Sequence, residues 1–476
     1  MFKKGLLIIA SFAILSASEY QDWLNSQNTQ YASYKKSMDD EFSDMLKKEW
    51  SAFKAMSTPS LFKKPKPIAV PTLKKEIILK TEEIKTSPKI IAKPIKLKYP
   101  KQIKKIIAPK ITNKFNQIDI NFFGKQIPLN YDKNSFFKLS KIDKNSISNF
   151  WQHISKSEYK KLLTQIKDIS NTLNLNNWAQ YQLLYKIGMK IYNDKNTANL
   201  FTWFMLVKSN YDTKVGYNNN KIYLLSNINH ALYQVSYFKL NNKKYYILDS
   251  SGKANSVGNI FTYKGDYPKA KNRFSFFMNQ SIKLNNQTCN KELKFRFQEQ
   301  DYKINVKYSN ELINFYKSFP QSDYNIYFNN KNSFNLSNTL LKELQVLING
   351  KTEIEAANML LRFTQTAFKY KTDQKQFSYE KVMFPEETIF YPFSDCEDRS
   401  ILFSYLIKNL LNLDVVGIKY KDHLATAVAF NSTISGDKFK YKNKFYTISD
   451  PTYINANCGM TMPNYKNSKF KIISKY

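Results

Sequence analysis

Three side chains near the C-terminal end are of the types that acyl-transfer chemistry requires. Cys396 is followed by His423 and then by Asp450, and the two separations are equal, 423 − 396 = 27 and 450 − 423 = 27. A cysteine acts as a nucleophile when a histidine takes its proton and a carboxylate orients that histidine. The fold must therefore contain elements that bring these three positions together.

The local sequence places Cys396 at the start of a helix. The mostly apolar run 401–407 follows it, uninterrupted by glycine or proline, which predicts a loop-to-helix junction at the cysteine. The positive end of a helix dipole favours thiolate over thiol. Three neighbouring acids, Asp395, Glu397 and Asp398, would partly oppose thiolate formation.

Apolar runs predict three strands in this region, at 415–418, 424–430 and 445–448. His423 opens the second strand, and Asp450 follows the end of the third. If the polar residues between these two strands close an antiparallel hairpin, His423 and Asp450 lie side by side.

In this order and on these elements, Cys396, His423 and the turn Asp450-Pro451-Thr452 resemble the transglutaminase-like branch of the papain-like cysteine enzymes. The resemblance covers residues 334–476. It implies an α+β domain with helices packed on an antiparallel sheet, and a Cys-His-Asp triad that works through a thioester without a cofactor or metal ion.

Residues 370–393, directly ahead of the cysteine, are expected to form one wall of the cleft. In papain-like enzymes a glutamine ahead of the cysteine often helps to stabilise the oxyanion, and either Gln374 or Gln376 would match that role. The acids around the cysteine are expected to hold this loop through Arg399 and Lys381.

The composition of the 476 residues is that of a globular chain with a strong positive charge. Hydrophobic residues make up 42%, and the formal charge of +35 allows a general attraction to polyanions. Most of this charge comes from scattered lysines, whereas phosphate recognition favours arginine. We therefore expect no specific nucleic-acid site and only a weak attraction to an anionic envelope surface.

Residues 1–18 have the pattern of a secretory signal peptide, with a basic start, a short apolar run and small residues before a cleavage site. The protein is accordingly expected to be periplasmic or secreted, and of bacterial origin. Three cysteines, an odd number, remain in the exported chain. If Cys396 is the nucleophile, Cys289 and Cys458 either form one disulfide or both stay free.

The next two segments differ sharply in composition. Residues 19–56 predict one long amphipathic helix, because apolar side chains recur there at steps of three and four. We expect this helix to dock on the body of the protein, on a partner or on a copy of itself as a coiled coil. An inhibitory pro-segment that covers the site is the alternative. Residues 57–112, rich in lysine and proline, predict an extended, disordered linker.

Residues 113–275 repeat the order of helices and strands found around the triad. The same separation, 417 − 216 = 201, relates Gly216 to Gly417 and residues 242–249 to residues 443–450. This pattern predicts a duplicated transglutaminase-like domain.

The first copy is expected to be catalytically dead. In the last helix, Phe201-Thr202-Trp203 matches Phe403-Ser404-Tyr405, and this offset, 403 − 201 = 202, places Asp194 opposite Cys396. The offset of 201 places Ile222 opposite His423, so the copy keeps an acid but lacks the thiol and the base. Residues 276–333, between the two copies, predict a small antiparallel β unit.

Two classes of function fit these observations. The first is an exported cysteine peptidase or amidase that acts on a peptide or protein substrate, such as one of the envelope. If an amine replaces water, the same chemistry gives a cross-linking transglutaminase. The second is a non-catalytic envelope scaffold that keeps the fold for binding.

Overall fold

The chain is a mixed α+β protein with antiparallel, curled sheets. The computed structural model describes residues 17–62, 66–77, 79, 81–91, 106, 114–252, 257–284 and 287–473. Most of the predicted signal peptide, residues 1–16, lies outside these ranges, as does much of the predicted linker. None of the helices within the described ranges is long and apolar enough to cross a membrane.

The N-terminal residues and the first α+β unit share one sheet. Their elements are α1 (Ala17–Lys48), β1 (Trp50–Phe53), β2 (Met56–Ser57), α2 (Thr81–Thr86), β3 (Phe115–Phe122), β4 (Lys125–Asp132), α3 (Lys144–Ser155), α4 (Tyr159–Leu173), α5 (Asn177–Tyr192), α6 (Lys195–Lys208), β5 (Thr213–Asn218), β6 (Lys221–Asn227), β7 (Ser236–Leu240), β8 (Lys243–Leu248) and β9 (Ile260–Tyr263). The antiparallel order β1-β9-β5-β6-β8-β7-β2 places the short strands after α1 at both edges of the sheet. Strands β3 and β4 pair with each other in a separate two-stranded sheet.

The C-terminal unit has its own sheet, in the antiparallel order β16-β17-β15-β14-β18. The elements that lead to and form it are β10 (Thr288–Phe297), β11 (Gln300–Ser309), α7 (Asn310–Lys317), α8 (Tyr324–Phe328), α9 (Phe334–Leu336), α10 (Lys342–Ile348), α11 (Glu353–Thr366), β12 (Lys369–Tyr370), α12 (Asp373–Gln376), α13 (Pro385–Phe390), β13 (Phe393–Ser394), α14 (Cys396–Leu406), β14 (Asp414–Lys419), β15 (Leu424–Ala429), β16 (Lys438–Tyr441), β17 (Lys444–Ser449) and β18 (Lys471–Ile473).

The small β unit predicted for 276–333 is a single hairpin, β10–β11, followed by the helices α7 and α8. Alternate residues of the hairpin are buried, among them Leu293, Phe295 and Ile304. These side chains belong to the same hydrophobic core as those of α11 and α14. A two-stranded hairpin cannot form a stable core alone, and this one is part of the C-terminal unit.

The long N-terminal helix is shorter than the predicted 19–56, because the chain leaves the helix after Lys48 and forms strands β1 and β2. Its C-terminal half docks on the chain itself, with Met38, Phe42 and Leu46 buried against the first unit. Trp23, in the N-terminal half, is exposed.

Replacing Phe42 with alanine should lower the free energy of unfolding by about 3 kcal/mol, the usual cost of deleting a buried ring. Phe42 is 5% exposed, and its ring lies 4.6 Å from that of Trp151 and 5.3 Å from that of Tyr267. Trp23→Ala, at a site that is 53% exposed, is the control and should change stability by less than about 0.5 kcal/mol. Equal denaturant midpoints for the two variants would show that the helix is not docked.

The two sheets share the strand order that the repeat predicts. In the first sheet β5, β6, β8 and β7 are successive neighbours, and in the second sheet β14, β15, β17 and β16 are neighbours in the corresponding order. The spacing of 201 residues holds at one turn in particular. Asn241 and Asn242 have φ of 48° and 62°, and Lys442 and Asn443 have φ of 45° and 62°. Duplication itself stays a prediction.

The residue matches drawn from that spacing are wrong at the site. Two residues join the paired ends of β5 and β6, whereas four, Tyr420 to His423, join β14 and β15. His423 lies in the longer connection, while Ile222 is paired inside β6, so the two are not equivalent.

The helix starts are also shifted by one residue relative to that prediction. Asp194 is the N-cap residue of α6, and Asp395 is the N-cap residue of α14. Lys195, rather than Asp194, therefore stands where Cys396 stands. The first unit still lacks both thiol and imidazole at these positions.

The predicted disordered linker is ordered where the structure describes it. We call residues 58–62, 66–77, 79 and 81–91 the strap. Thr58 is hydrogen-bonded to Val235 of the first unit, and the residues from 66 onwards lie along the C-terminal unit. A proline residue has no backbone N–H donor, but its carbonyl still accepts hydrogen bonds. Three proline carbonyls of the strap accept hydrogen bonds from the C-terminal unit. They are Pro67 from the Tyr370 hydroxyl (2.8 Å), Pro71 from the Ile454 N–H (3.1 Å) and Pro88 from the Glu353 N–H (2.8 Å).

Candidate functional site

A buried imidazole–carboxylate pair lies at the end of the C-terminal sheet. His423 directly precedes β15, Asp450 directly follows β17, and the pairing of Thr426 with Ser449 places the two strand ends side by side. His423 Nε2 and Asp450 Oδ2 are 2.8 Å apart. The structure thus brings together two of the three residues singled out in the sequence.

The Asp450 carboxylate is fixed by its own turn. Its Oδ1 accepts a hydrogen bond from the Thr452 N–H (2.9 Å), which leaves Oδ2 for the histidine. The Asp450 carbonyl accepts from Gln365 Nε2 (3.2 Å), which also donates to the Ala456 carbonyl (3.0 Å). Gln365 is a positioning residue that the sequence did not reveal, because it lies within the buried face of α11.

Two tyrosine rings are stacked on the imidazole. The ring of Tyr465 lies 4.9 Å from that of His423 at 18°, and the ring of Tyr420 lies 6.1 Å away at 13°. With the ring plane held by these contacts and Nε2 bound to Asp450, Nδ1 is the nitrogen left to exchange a proton with a reactant. Tyr465 was not predicted, since it comes from the loop before β18.

Cys396 is the first residue of α14, as predicted, and is fully buried. Ser400 lies one turn later on the same face of the helix and donates to the carbonyl of Leu424 (3.0 Å), the residue after His423. Residues four apart on a helix have neighbouring side chains. The face of α14 that carries Cys396 therefore lies against the end of β15 that carries His423.

The thiol faces a carboxylate in this structure. Cys396 Sγ donates to Glu397 Oε2 at 3.1 Å, and no hydrogen bond within the described part of the chain joins it to His423. Burial raises the pKa of the Cys396 thiol well above its usual value, and the nearby Glu397 and Asp395 raise it further. The expected thiolate-favouring effect of the helix dipole is outweighed, so the sulfur is held as a protonated thiol.

A lysine of the strap is inserted beside the thiol. Lys66 Nζ lies 2.7 Å from Asp373 Oδ2, 2.7 Å from Asp395 Oδ2 and 3.0 Å from Glu380 Oε2, and it also donates to Glu397 Oε1. We call these four acids the acid pocket. Although burial lowers the pKa of Lys66, the carboxylates outweigh it, and the pKa is raised well above its usual value.

The acid pocket has the donor set of a cation site. Ligand atoms of Asp373, Glu380 and Glu397 lie within 4.8 Å of one another, as do those of Asp373, Asp395 and Asp398. Such oxygen clusters suit hard cations. The Lys66 ammonium takes that place here.

The two glutamines predicted to stabilise an oxyanion are not at the thiol. Gln374 is exposed and Gln376 is half-buried on the short helix α12, whose buried residue is Asp373. Among the contacts of the described residues, no hydrogen bond joins either glutamine to Cys396. Backbone N–H groups in the first turn of α14 are the remaining donors for an oxyanion.

The basic residues expected to hold the loop divide into two roles. Lys381 Nζ pairs with Glu387 Oε1 at 2.7 Å, as anticipated for the acids of this segment. Arg399 instead donates to Ser394 Oγ and to the carbonyls of Gln365 and Phe368. The acids that flank Cys396 are paired with Lys66.

A cleft of about 600 Å³ lies beside Tyr420 and Tyr465, the two rings stacked on the imidazole, and Pro67 of the strap forms part of its wall. The lining residues are Pro67, Tyr420, Lys421, Asp422, Asn464, Tyr465, Ser468 and Lys469. The first unit has a smaller cavity of about 270 Å³ near its own α6 start, lined by residues that include Lys195, Ile222 and Asp249. That cavity has neither cysteine nor histidine in its lining.

The three cysteines are free. Cys289 accepts a hydrogen bond from Asn310 Nδ2 at 3.0 Å, and Cys458 is buried in the C-terminal unit. Of the two arrangements left open by the sequence, the structure has both thiols unpaired.

Two buried glutamates of the C-terminal unit make stability depend on pH. Burial raises the pKa of Glu386 to about 7 and that of Glu397 to about 7. A carboxyl whose pKa is raised by folding favours the folded state below its unfolded pKa, near 4.5, and that contribution is lost as pH rises through 7. Part of the unfolding free energy should therefore disappear between pH 4.5 and 7.

Glu386→Gln should flatten this dependence by up to about 3 kcal/mol, because it removes one titrating group and keeps the acceptor for the Ser309 N–H. Denaturant unfolding at pH 5 and pH 7.5 measures the effect, and exposed Glu343→Gln is the control. The prediction is refuted if the unfolding free energy of Glu386→Gln differs between pH 5 and pH 7.5 by as much as that of the unaltered chain.

Comparison of the chain with protein-family models, with curated proteins and with solved structures found no match.

Proposed function

We propose that residues 334–476 are the catalytic domain of an exported, transglutaminase-like cysteine hydrolase that cleaves peptide or amide bonds. The observation that carries this proposal is the buried hydrogen bond between His423 and Asp450 at the sheet end that faces Cys396. A buried, oriented imidazole beside a thiol at a helix start is an arrangement that supports nucleophilic catalysis.

The reaction follows from the order of these groups. His423 Nδ1 takes the thiol proton, and Cys396 Sγ attacks the carbonyl carbon of the substrate while first-turn N–H groups of α14 stabilise the oxyanion. The C–N bond breaks, the leaving amine takes the proton from His423, and a thioester remains on Cys396. Water, deprotonated by His423, then releases the acid and restores the thiol.

On this proposal, the contacts of Cys396 with Glu397 and of Lys66 with the acid pocket form a closed state of the enzyme. Catalysis requires the Cys396 thiol to leave its hydrogen bond with Glu397 and to form one with His423. It also requires access of the substrate to the site, which Lys66 and Pro67 of the strap restrict. The predicted inhibitory role, considered for residues 19–56, is better assigned to the strap. Activation is then removal of the strap from the acid pocket.

A non-catalytic scaffold is the second candidate, and the complete burial of the Cys396 thiol favours it. The two candidates differ in the reactivity of that thiol once the strap is displaced. Peptide mass mapping after brief exposure of the Lys66→Ala protein to an activated ester should find an acyl group on Cys396 that is distinct from acylation of surface lysines. No adduct on folded protein would favour the scaffold.

The same adduct separates hydrolysis from cross-linking. Addition of a primary amine should leave the free acid as the main product if water is the natural acceptor. Predominant amide formation at low amine concentration would instead identify a transglutaminase.

A further inference from the structure

The acid pocket is filled by a lysine from a distant part of the chain. Lys66 lies 307 residues before Asp373 and 329 before Asp395, and its side chain is 1% exposed. Around it, the strap is held by the buried side chains of Leu61 and Phe62 and by the hydrogen bond from Tyr370 to the Pro67 carbonyl. The occupant therefore comes from a segment far from the pocket acids in the sequence.

The geometry of the acid pocket suits an ammonium group. Carboxylate oxygens from four side chains converge on one nitrogen, three of them at 2.7–3.0 Å. An ammonium presents three N–H donors around a compact charge, whereas a guanidinium is a planar fork suited to one or two carboxylates lying in its plane. The pocket should therefore prefer lysine to arginine.

The pocket also holds more acids than its occupant can neutralise. Four carboxyl groups surround one ammonium, and the nearby Arg399 is bonded to carbonyls and a serine rather than to these acids. Buried carboxylates without a counter-ion are costly. Burial raises the pKa of Asp373 and of Asp395 well above its usual value. Once Lys66 leaves, another cation therefore binds in competition with protonation of these acids.

The position of the pocket relates it to the reaction. One carboxylate oxygen of Glu397 accepts a hydrogen bond from the Cys396 thiol, and the other accepts one from the Lys66 ammonium. Pro67, the next residue of the strap, lines the cleft beside Tyr420 and Tyr465, which are stacked on His423. A peptide with a lysine in the pocket would thus have its neighbouring backbone beside both thiol and imidazole.

We propose that the acid pocket is a specificity site for the lysine side chain of a peptide substrate, and that Lys66 occupies it as an internal substrate mimic. The substrate role rests on the proposed function, whereas the selective binding of lysine does not.

Binding is tested with the full chain carrying Lys66→Ala and Cys396→Ala, which vacates the pocket and prevents turnover. The probe is a blocked peptide with the sequence of residues 65–71, which contains one lysine, and its forms with arginine or norleucine at that position. Calorimetry should show the lysine peptide binding at least about tenfold more tightly than either analogue. Equal affinities, or binding of calcium ions without binding of the lysine peptide, would overturn the proposal.

A measurement on the unaltered protein covers the case in which the variant does not fold. Excess lysine peptide should displace the strap and speed amide hydrogen exchange in residues 66–77, whereas the norleucine peptide should not. Identical exchange with the two peptides would count against the site.

Turnover separates the two proposals. Selective lysine binding with no hydrolysis by the Lys66→Ala protein would keep the site and refute the hydrolase. Hydrolysis with equal rates for lysine and norleucine peptides would keep the hydrolase and refute the lysine site.

Discussion

Replacing Cys396 with alanine is expected to lower the rate of peptide or amide hydrolysis by about four orders of magnitude or more, since no other group at the site can form the thioester. The loss should be seen in kcat, measured on the Lys66→Ala chain so that the strap does not limit access. His423 and Asp450 would remain hydrogen-bonded in the variant, because their contact does not include the sulfur.

Cys458→Ala is the matched control for this experiment. Cys458 is a second buried thiol of the same unit, and burial raises its pKa to about 12. No imidazole contacts it within the described residues, so its replacement should leave kcat within about a factor of two of the parent chain's. Equal activities of the Cys396→Ala and parent chains would remove Cys396 from the mechanism.

Replacing Lys66 with alanine should raise the rate at which iodoacetamide alkylates Cys396 by roughly a hundredfold at neutral pH. The thiol is fully buried, and on the proposed mechanism it becomes accessible when the strap opens. Removing one partner of a buried ion-pair cluster costs about 3 kcal/mol or more, and a change of that size in the opening equilibrium corresponds to roughly a hundredfold. Mass spectrometry of the labelled peptide gives the rate for each cysteine.

Lys89→Ala provides the control for this prediction. Lys89 is an exposed lysine of the same strap, bridged to Thr352 through its backbone. The Lys89→Ala variant loses the same charge from a side chain that does not enter the acid pocket. Cys396 in this variant should be alkylated at the same rate as in the unaltered chain. If Lys66→Ala and Lys89→Ala label alike while both remain folded, Lys66 does not close the site.

The strand pattern of the C-terminal unit was predictable because its signals are local. Apolar runs and polar turns define β14, β15 and β17, and antiparallel pairing then places His423 against Asp450. The start of α14 at Cys396 follows from the same kind of signal.

The protonation state of the thiol was not predictable in this way. It depends on the burial of Cys396 and on where the side chains of Asp395 and Glu397 point. Neither quantity is contained in the spacing of residues along the chain.

The contact of Lys66 with the acid pocket leaves no trace in the local sequence. Lys66 stands in a lysine- and proline-rich run whose composition predicts disorder, and its partners are more than 300 residues away. The order of this segment comes from carbonyl acceptors and one buried charge, not from a periodic apolar pattern. The one signal in the sequence was the cluster of acids beside Cys396, which indicates that a cation from another part of the chain must neutralise them.

Activation of Cys396 by His423 is tested most directly by the pH dependence of alkylation. In the Lys66→Ala chain, Cys396 should keep reacting below pH 7, because an imidazolium stabilises the thiolate. In the Lys66→Ala, His423→Ala chain the rate should fall about tenfold per pH unit below the pKa of an ordinary thiol. Parallel pH profiles in the two chains would contradict the account.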